Sequence, residues 1–359
     1  MPTVTVIVPT YNSGGYLDAT IESILSQSFT DFEVIVIDDC STNDVVTRMR
    51  AISDPRLRVV INDSNLGVAG TRNHGLAIAQ SEFIAHCDHD DLWHADKLAR
   101  QVAYLRAHPE IGAATTSFVK FFADGRMVNF QAVHTTFAGQ PCSPVYYKWL
   151  MYFTSPFLHS SLMVRREIIR RHALRYDEHL SMADDWEFYF RLTSVCDCVP
   201  IAGWLTLYNL HGANWSVVAM EEMLDRTGFL SDRIGALLGC QLSVEQGRAY
   251  LMAVTIGEPC RDRAALASIG RLIAGITERM IAVHQPSAAE AQLMKHRAAE
   301  RWWRIVRRTA IEHGTDFLAC YDTPGMPNWV RPPWHSVASG HARAHWRQLF
   351  ARVSPIAPE

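Results

Sequence analysis

The chain has 359 residues, of which 48% are apolar and 20% are charged, and its formal net charge is -3 at pH 7. This composition is typical of a globular protein, so it excludes disorder, a collagen repeat or a coiled coil as a description of the whole chain. The length predicts two domains, or one large domain with an extension. The near-neutral charge gives no reason to expect nucleic acid as a partner, and we predict none.

The N-terminus and the cysteines predict a cytoplasmic protein. Residues 1–9 contain no basic n-region and no small-residue cleavage site, and they lead directly into a predicted strand. No segment has the ~18 uninterrupted apolar residues that span a bilayer. The 8 cysteines are scattered, and the close pair Cys196 and Cys198 lacks metal-knuckle or thioredoxin spacing. We therefore expect reduced thiols rather than a disulfide framework, and no transmembrane helix.

The first hundred residues alternate between strand and helix patterns. Apolar and β-branched runs predict strands over 4–8, 33–37, 56–61 and 81–87. Apolar residues at helical spacing predict helices over 16–26 and 45–51, and the loop 65–70 leads into a further helix. Strands separated by short helices predict an α/β fold with a mainly parallel sheet. Ligands of such a sheet bind beyond the carboxyl ends of its strands.

Acidic residues follow two of these predicted strands. Asp38 and Asp39 come after the second strand, and Asp88, Asp90 and Asp91 come after the fourth. Crowded carboxylates raise each other's pKa, which favours a site where a cation compensates their charge. Mg2+ and Mn2+ prefer carboxylate oxygens and accept phosphate or water as further ligands. The sequence therefore predicts a metal-bound phosphate at this edge of the sheet.

From about residue 217 the pattern becomes helical. Apolar residues at three- and four-residue spacing predict helices over 221–238, 244–256, 264–283 and 288–313. We therefore expect an α/β domain over residues 1–216 and a mainly helical C-terminal domain over residues 217–359.

Seven segments carry a resemblance to a known family. In chain order they are 6–12 (VIVPTYN), 24–41 (ILSQSFTDFEVIVIDDCS), 65–73 (NLGVAGTRN), 88–93 (DHDDLW), 96–98 (DKL), 176–178 (YDE) and 184–188 (DDWEF). In this order and at this spacing they resemble family 2 glycosyltransferases, over about residues 3–216. The resemblance implies the GT-A fold, which is the Rossmann-like fold of nucleotide-diphospho-sugar transferases with a mainly parallel sheet.

The resemblance implies a donor site at the first strands. Pro9, Thr10 and Tyr11 would form one wall of the nucleotide-base pocket, and Asp39 would accept a hydrogen bond from the imide N–H of uracil. Arg72 would lie near the nucleotide and its diphosphate, where a permanent positive charge is useful. Two alternatives stay open: an aspartate after the second strand caps the following helix, or Arg72 is an exposed arginine at a helix start.

The resemblance identifies a D-x-D motif that begins at Asp88 and holds the metal together with the ribose and diphosphate of the nucleotide sugar. It implies Mn2+ or Mg2+ as cofactor, with Asp90 and Asp91 as direct ligands and Asp88 at the ribose or behind a water. His211 matches a histidine that reaches the diphosphate or the metal, or it is a structural hydrogen-bonded group. Asn209 stands where the family often has an arginine, which removes part of the usual positive charge.

Asp185 matches the acidic position of the late motif, and the resemblance implies that it is the general base. Such a base takes the proton of the acceptor hydroxyl during attack. It would lie on the face opposite the diphosphate, which implies single displacement with inversion at the anomeric carbon. Asp184 is expected at the nucleotide sugar, although Asp184 or Glu187 can instead be structural. Trp186 packs against the sugar or against the core.

The leading hypothesis is an inverting, metal-dependent glycosyltransferase of the hexosyl- or N-acetylhexosaminyltransferase type. It would move a sugar from a nucleotide-sugar, expected to be a UDP-sugar, to a saccharide or lipid-linked acceptor in the synthesis of cell-surface polysaccharide or glycoconjugates. A catalytically silent sugar-nucleotide binding or assembly module is the alternative that the intact acidic residues oppose. A sugar-nucleotide nucleotidyltransferase is a further alternative, but the loop 9–15 lacks the basic residue expected at a triphosphate.

The last predicted helix carries arginines mixed with tryptophans over residues 301–308. Such a helix can lie on an anionic membrane surface and bring the site to a lipid-linked acceptor. The alternative is a surface helix whose tryptophans face the core while its arginines reach solvent. We therefore expect the C-terminal domain to bind an acceptor, a partner or the membrane, with peripheral contact at the inner face of the membrane.

Overall fold

The computed structural model describes residues 1–122, 126–130, 136–137, 140–180, 183–211, 228–313 and 326–330. The chain divides into two compact units. The first comprises Met1–Met151 and Ser155–Arg226, and the second comprises Tyr152–Thr154 and Thr227–Glu359. The domain boundary predicted between residues 216 and 217 lies outside the described residues.

The first unit is built on a mixed sheet. Its described strands are β1 Val4–Thr10, β2 Phe32–Asp38, β3 Leu57–Ile61, β4 Phe83–His86, β5 Leu92–Trp93, β6 Ile111–Phe122, β7 Met127–Phe130, β8 Thr136–Phe137, β9 Gln140–Pro141, β10 Met163–Arg165 and β11 Asp197–Leu210. The sheet order is β3-β2-β1-β4-β10-β6-β11-β5, with β7 beside β6, and β8 pairs with β9 in a separate ribbon.

The adjacent strands β3, β2, β1 and β4 run parallel to one another, and β11 runs parallel to β6. The strands β10, β5 and β7 pair antiparallel with their neighbours. Every residue of β1 is buried, as expected of a central strand covered on both faces. The predicted α/β fold with a mainly parallel sheet is therefore confirmed, and the four predicted strands are present with ends shifted by a few residues.

Helices connect these strands. The described α-helices of the first unit are α1 Tyr16–Leu25, α2 Val45–Ala51, α3 Gly67–Ile78, α4 Lys97–Ala107, α5 Pro144–Leu150, α6 Arg166–Arg171 and α7 Asp184–Val195. A 3-10 turn spans His159–Ser161. A Cβ atom on Gly75 would lie 2.6 Å from Ile7 Cγ2, so only glycine lets α3 approach β1 this closely. This contact fixes the position of Arg72, less than one helical turn earlier.

The second unit is helical, which confirms the predicted helical C-terminal region. Its described α-helices are α8 Gly228–Leu238, α9 Val244–Leu251, α10 Arg263–His284 and α11 Ala288–His313. The helix predicted over 244–256 ends earlier as an α-helix and continues as a π-helical turn over Met252–Ile256, which stops at Gly257 with a φ of 86°. The predicted helical residues 221–227 lie outside the described residues.

Hydrogen bonds show why Tyr152–Thr154 belongs to the second unit. Tyr250 Oη donates to the carbonyl of Tyr152 (3.0 Å), and Thr255 Oγ1 donates to the carbonyl of Phe153 (3.1 Å). Short hydroxyl-to-carbonyl bonds of this kind satisfy the backbone of a segment that has no strand or helix partners.

The tryptophans of α11 face the interior of the second unit. Trp302 and Trp303 are buried, and Trp303 Nε1 donates to the carbonyl of Val330 (2.7 Å). Arg304 and Arg307 on the same helix are exposed. Of the two interpretations of this helix, the structure supports the one in which its tryptophans pack in the core. Across the described residues, none of the helices combines the length and apolar character needed to cross a bilayer.

Candidate active site

The ends of β1, β2 and β4 bring the acidic segments to one edge of the sheet. Thr10 and Asp38 are register partners at the ends of β1 and β2. The strand β4 is the other neighbour of β1, and the segment 88–91 follows it. Because these strands are parallel, their carboxyl ends form a single crevice.

Asp39 lies just past β2 and is buried. Its Oδ1 accepts hydrogen bonds from Asn62 Nδ2 (2.7 Å) and Leu66 N (2.8 Å), and its Oδ2 accepts one from Gly67 N (2.9 Å). Asp39 therefore caps a helix, but the helix is α3 and not the next one along the chain. A carboxylate has about four acceptor positions, so among the described residues one position on Oδ2 is unused.

Among the described residues, some buried polar atoms without partners lie where the base pocket is predicted. Pro9 and Thr10 are buried, whereas Tyr11 is exposed. Within the described residues, Thr10 Oγ1, Ser13 Oγ and Asp38 Oδ1 are buried without a hydrogen-bond partner. Leaving a buried polar atom unpaired costs about 1–3 kcal/mol. These three atoms therefore point to a ligand or ordered water at the ends of β1 and β2.

The buried Ser160 makes hydrogen bonds to both ends of the segment 88–91, which follows β4. Its Oγ accepts a hydrogen bond from Asp88 N (2.9 Å) and donates one to Asp91 Oδ2. Asp91 Oδ1 accepts a hydrogen bond from Asn209 N (3.1 Å), and Asp91 is 0% exposed. Burial above all, and then Asp90 and Asp88, raise the pKa of Asp91 well above its usual range. Both oxygens of Asp91 face the protein interior, which does not fit its predicted role as a direct metal ligand.

Asp90 and His211 meet at the rim of the crevice. His211 Nε2 lies 3.0 Å from Asp90 Oδ2, and Tyr16 stacks on the imidazole with ring centroids 4.4 Å apart. No set of three or more His, Cys, Asp or Glu side chains forms a ready metal site in the part of the chain that the structure describes. One carboxylate and one imidazole nevertheless fit Mg2+ or Mn2+, because these ions take further ligands from phosphate and water.

Arg72 lies beneath the crevice. It is 6% exposed, so the alternative of an exposed arginine at a helix start is wrong. Its Nη1 donates to Asp184 Oδ2 (2.6 Å), and its Nη2 donates to Asp88 Oδ1 (2.7 Å). The guanidinium therefore joins the D-x-D motif to the late acidic motif. Contact of Arg72 with a diphosphate, and of Asp184 with a sugar, stays a prediction.

Asp185 occupies the first turn of α7. Ala183, the residue just before this helix, has a φ of 57°, a left-handed conformation that costs about 1–2 kcal/mol for a residue with a side chain. Asp185 Oδ1 accepts a hydrogen bond from Trp186 N (2.7 Å), while its Oδ2 has no hydrogen bond among the described residues. Burial, and then the charge of Asp184, raise the pKa of Asp185 to about 7. A free carboxylate oxygen with a near-neutral pKa suits a general base.

Comparisons with known proteins agree with these motifs. Residues 5–172 match the model of Glycosyl transferase family 2. The EpsE protein of Bacillus subtilis strain 168 is 30% identical over 199 residues, which cover 53% of this chain and 67% of EpsE. The chain belongs to glycosyltransferase family 2.

Other relatives of this family 2 glycosyltransferase carry more specific names. The succinoglycan biosynthesis protein ExoO of Rhizobium meliloti is 30% identical over 235 residues, which cover 63% of this chain and 66% of ExoO. The Escherichia coli protein WfgD, a UDP-Glc:alpha-D-GlcNAc-diphosphoundecaprenol beta-1,3-glucosyltransferase, is 36% identical over 102 residues. That alignment covers 28% of this chain and 40% of WfgD.

Solved structures show the same fold. S. aureus TarS 1-349 in complex with UDP-GlcNAc has a TM-score of 0.55 and 20% identity, and the match covers 87% of this chain and 92% of TarS 1-349. The mannosyltransferase PcManGT from Pyrobaculum calidifontis has a TM-score of 0.50 and 19% identity, over 98% of this chain and 88% of that one. This likeness is one of fold, and it confirms the GT-A fold for this family 2 glycosyltransferase.

Sequence reasoning gave no role to Asn73, which supports the family 2 site from behind. Asn73 Nδ2 donates to the carbonyl of Tyr176 (2.9 Å) and to Glu178 Oε1 (2.8 Å), and its Oδ1 accepts from Tyr176 N (2.7 Å). These hydrogen bonds hold the segments 65–73 and 176–178 next to each other in the fold. The sequence feature that could have predicted this role is a polar residue directly after Arg72, inside the segment 65–73 that resembles the family.

A buried lysine was also overlooked. Lys97 Nζ lies 3.7 Å from the centre of the Trp93 ring and donates to Gln101 Oε1 (2.8 Å). Trp93 Nε1 donates to the carbonyl of Ser160 (2.9 Å), so this cluster supports the residue that holds Asp88 and Asp91. Burial lowers the pKa of Lys97 to about 7. Trp186 is likewise a core residue, since its Nε1 donates to the carbonyl of Met151 (2.9 Å).

Proposed function

We propose that this protein is an inverting, metal-dependent glycosyltransferase that moves a sugar from a UDP-sugar to a saccharide or lipid-linked acceptor in cell-surface polysaccharide synthesis. The observation that carries the proposal is the link through Arg72, whose two Nη atoms contact Asp88 and Asp184. This link brings the segment expected to bind the donor and the helix that carries Asp185 into one site.

Asp185 is the proposed base. Its Oδ2 accepts the proton of the acceptor hydroxyl as that oxygen attacks the anomeric carbon, and the sugar–phosphate bond breaks on the opposite face. The nucleoside diphosphate leaves, so one displacement inverts the anomeric configuration. A carboxyl group with a pKa of about 7 is about half ionised at neutral pH, and a pKa close to the operating pH is favourable for general-base catalysis.

Asp90 and His211 are the residues proposed to hold Mn2+ or Mg2+. Such an ion, when bound, neutralises charge on the diphosphate leaving group. Tyr16 keeps the imidazole of His211 in place by stacking. Asp91, with both oxygens bonded inside the protein, fixes the backbone that presents Asp90.

The proposed donor is a UDP-sugar. Among the described residues, one acceptor position on Asp39 Oδ2 is unused and suits the imide N–H of uracil. Within the same part of the chain, Thr10 Oγ1 and Asp38 Oδ1 have no hydrogen-bond partner, and both residues end the strands β1 and β2. The name of the relative WfgD describes a UDP-Glc donor and a diphosphoundecaprenol-linked acceptor. The base pocket and the name of this relative both support a UDP-sugar donor, and the name also supports an acceptor carried on a lipid diphosphate.

The acceptor is proposed to be reached from the inner face of the membrane, with the second unit in peripheral contact. The exposed Arg304 and Arg307 of α11 supply charge for anionic lipid, but the buried Trp302 and Trp303 supply no anchor to the interface. We expect weak, salt-sensitive binding to vesicles of phosphatidylglycerol, and no binding to phosphatidylcholine. Binding that survives 0.5 M salt would contradict this charge-only contact.

The function is tested first with donor alone. Thermal shift of the purified protein against UDP, GDP, TDP and CDP and their sugar conjugates, each with and without Mn2+, should show stabilisation by UDP ligands that depends on the metal. Transfer is then followed as UDP release and as the anomeric configuration of the product by NMR. Stabilisation without turnover would favour a silent binding module, and stabilisation by GDP ligands alone would reject the UDP donor.

A further inference from the structure

The two acidic motifs of the site share one cation. Arg72 donates one hydrogen bond to Asp184 and one to Asp88, and both Arg72 and Asp184 have side chains that are 7% exposed. Asp88 is the more exposed partner, with 30% of its side chain accessible. A planar guanidinium donates to two carboxylates from separate Nη atoms in a fixed fork, whereas an ammonium group is a compact charge without that geometry.

Aromatic packing keeps this guanidinium in place. Arg72 Cζ lies 5.5 Å from the centre of the Tyr176 ring, and Tyr176 stacks on Phe188 of α7 with ring centroids 4.3 Å apart. Asn73, the next residue of α3, holds the backbone of Tyr176 on both sides. The start of α7 is therefore tied to α3 through a side-chain stack and through an ion pair.

The groups that face Asp185 come from each element packed around it. Asp184 precedes it on α7, Arg72 approaches from α3, Asp88 follows β4, and the hydroxyls of Tyr176 and Tyr189 are close enough to interact with its charge. Burial raises the pKa of Asp185, Asp184 and Asp88 raise it further, and Arg72 lowers it. Burial raises the pKa of both tyrosines well above the usual range, so their hydroxyls stay neutral.

We propose that Arg72 and Asp184 are positioning residues that couple the D-x-D segment to the base: their ion pair sets where Asp185 lies and how much charge surrounds it. This inference rests on the proposed function, because it takes Asp185 as the base. It makes Arg72 a residue that acts through two carboxylates, and it requires no contact between Arg72 and substrate.

The two partners should move the pH dependence in opposite directions. In Asp184→Asn the amide can still accept the Arg72 hydrogen bond, but a negative charge beside Asp185 is lost. The acid limb of the kcat/KM profile should therefore move down by about one pH unit. In Arg72→Gln a positive charge is lost, and the limb should move up by about one pH unit. A purely structural role would lower activity without this pair of opposite shifts.

A second readout does not depend on turnover. The carboxyl carbon of Asp185, assigned by its absence in Asp185→Asn, can be titrated by 13C NMR in protein labelled at aspartate. Its midpoint should fall in Asp184→Asn and rise in Arg72→Gln. If the protein proves inactive while these midpoints move, the proposed function fails and the coupling stands. If it transfers sugar while both midpoints stay in place, the coupling is overturned.

Two more variants serve as controls, one for the loss of an arginine elsewhere and one for the charge of Arg72. Arg56→Gln is the matched control, because Arg56 also pairs with an aspartate, Asp54 (2.8 Å), and packs on an aromatic ring, that of Phe32 (4.6 Å). It should leave both readouts unchanged. Arg72→Lys keeps the charge but loses the fixed fork that sets the two carboxylates, so it should lower kcat about tenfold or more while moving the acid limb little. If Arg72→Gln does not fold, an unmoved limb in Asp184→Asn alone overturns the proposal.

Discussion

The two units bury different kinds of side chain. In the described part of the first unit, charged residues are buried at the carboxyl edge of the sheet, among them Asp39, Arg72 and Asp91. In the described part of the second unit, the buried polar side chains are Thr277 and Thr309, and each makes a hydrogen bond to the backbone. The other buried side chains there are aliphatic, aromatic or sulfur-containing, and the polar atoms of Tyr250 and Trp303 donate to backbone carbonyls.

This difference indicates where a chemical site is to be expected and where side chains only stabilise the fold. A buried charge is costly unless it is paired and hydrogen-bonded, so several buried charges in one place indicate a site rather than a core. The first unit pairs Arg72 with Asp184 and Asp88, and it surrounds Asp91 with donors. Within its described residues, the interior of the second unit is packed mainly with apolar side chains and holds no buried ion pair of this kind.

The largest effect should come from neutralising the base. Asp185→Asn should lower transfer by about 10²–10⁴-fold while metal-dependent binding of UDP is retained, because only the proton acceptor is lost. The measurement is UDP release at saturating donor, with binding followed by calorimetry. Asp262→Asn is the control from the second unit, where the aspartate also accepts a backbone hydrogen bond at a helix start, from Ala265 N (2.7 Å). Full activity in Asp185→Asn would remove it as the base.

The second unit should respond to a change of volume rather than of charge. Trp302→Ala removes a buried indole and should lower the free energy of unfolding by about 3–5 kcal/mol through the cavity that it leaves. Urea denaturation measures this change. Arg304→Ala on the same helix is exposed and should change it by about 0.5 kcal/mol or less. Equal losses in the two variants would contradict the packing of α11.

Substitutions of the neighbouring Asp90 and Asp91 should have different effects, one mainly on metal binding and the other mainly on the free energy of unfolding. Asp91→Ala leaves the Ser160 hydroxyl and the Asn209 N–H without their acceptor and should cost about 1–3 kcal/mol of unfolding free energy. Asp90→Ala should have a smaller effect on unfolding but should abolish the Mn2+-dependent shift with UDP. Urea unfolding and Mn2+ titration are run on both variants. A normal Mn2+ titration in Asp90→Ala would reject it as a ligand.

The last prediction concerns the pH dependence of stability. Lys97 has a pKa of about 7 in the folded protein and an ordinary value of 10.5. Between these values the unfolded chain binds more protons, so this residue makes stability rise as pH increases from about 7 to about 10. Lys97→Met keeps the length of the side chain and should flatten that rise in a series of urea melts. An unchanged slope would show that Lys97 is protonated in the fold.

Much of the fold and the family could be predicted from the sequence. The strands β1 to β4 and the helices α10 and α11 follow from the spacing of apolar residues, which is a local property of the chain. The family follows from the order of short motifs such as 24–41 and 88–93. The strands after residue 100 were not predicted. The strands β8, β9 and β10 have only two or three residues, which carry too little periodicity, but β6 and β11, with 12 and 14 residues, were missed as well.

Only the tertiary structure decided how the acidic residues divide their work. Asp90 and Asp91 are adjacent and chemically identical, yet one reaches His211 at the rim and the other faces Ser160 and Asn209 in the interior. Arg72 and its partner Asp184 are 112 positions apart in the chain. A motif specifies which groups are available, whereas burial and long-range partners determine what each group contacts, and those depend on how α3 and α7 pack.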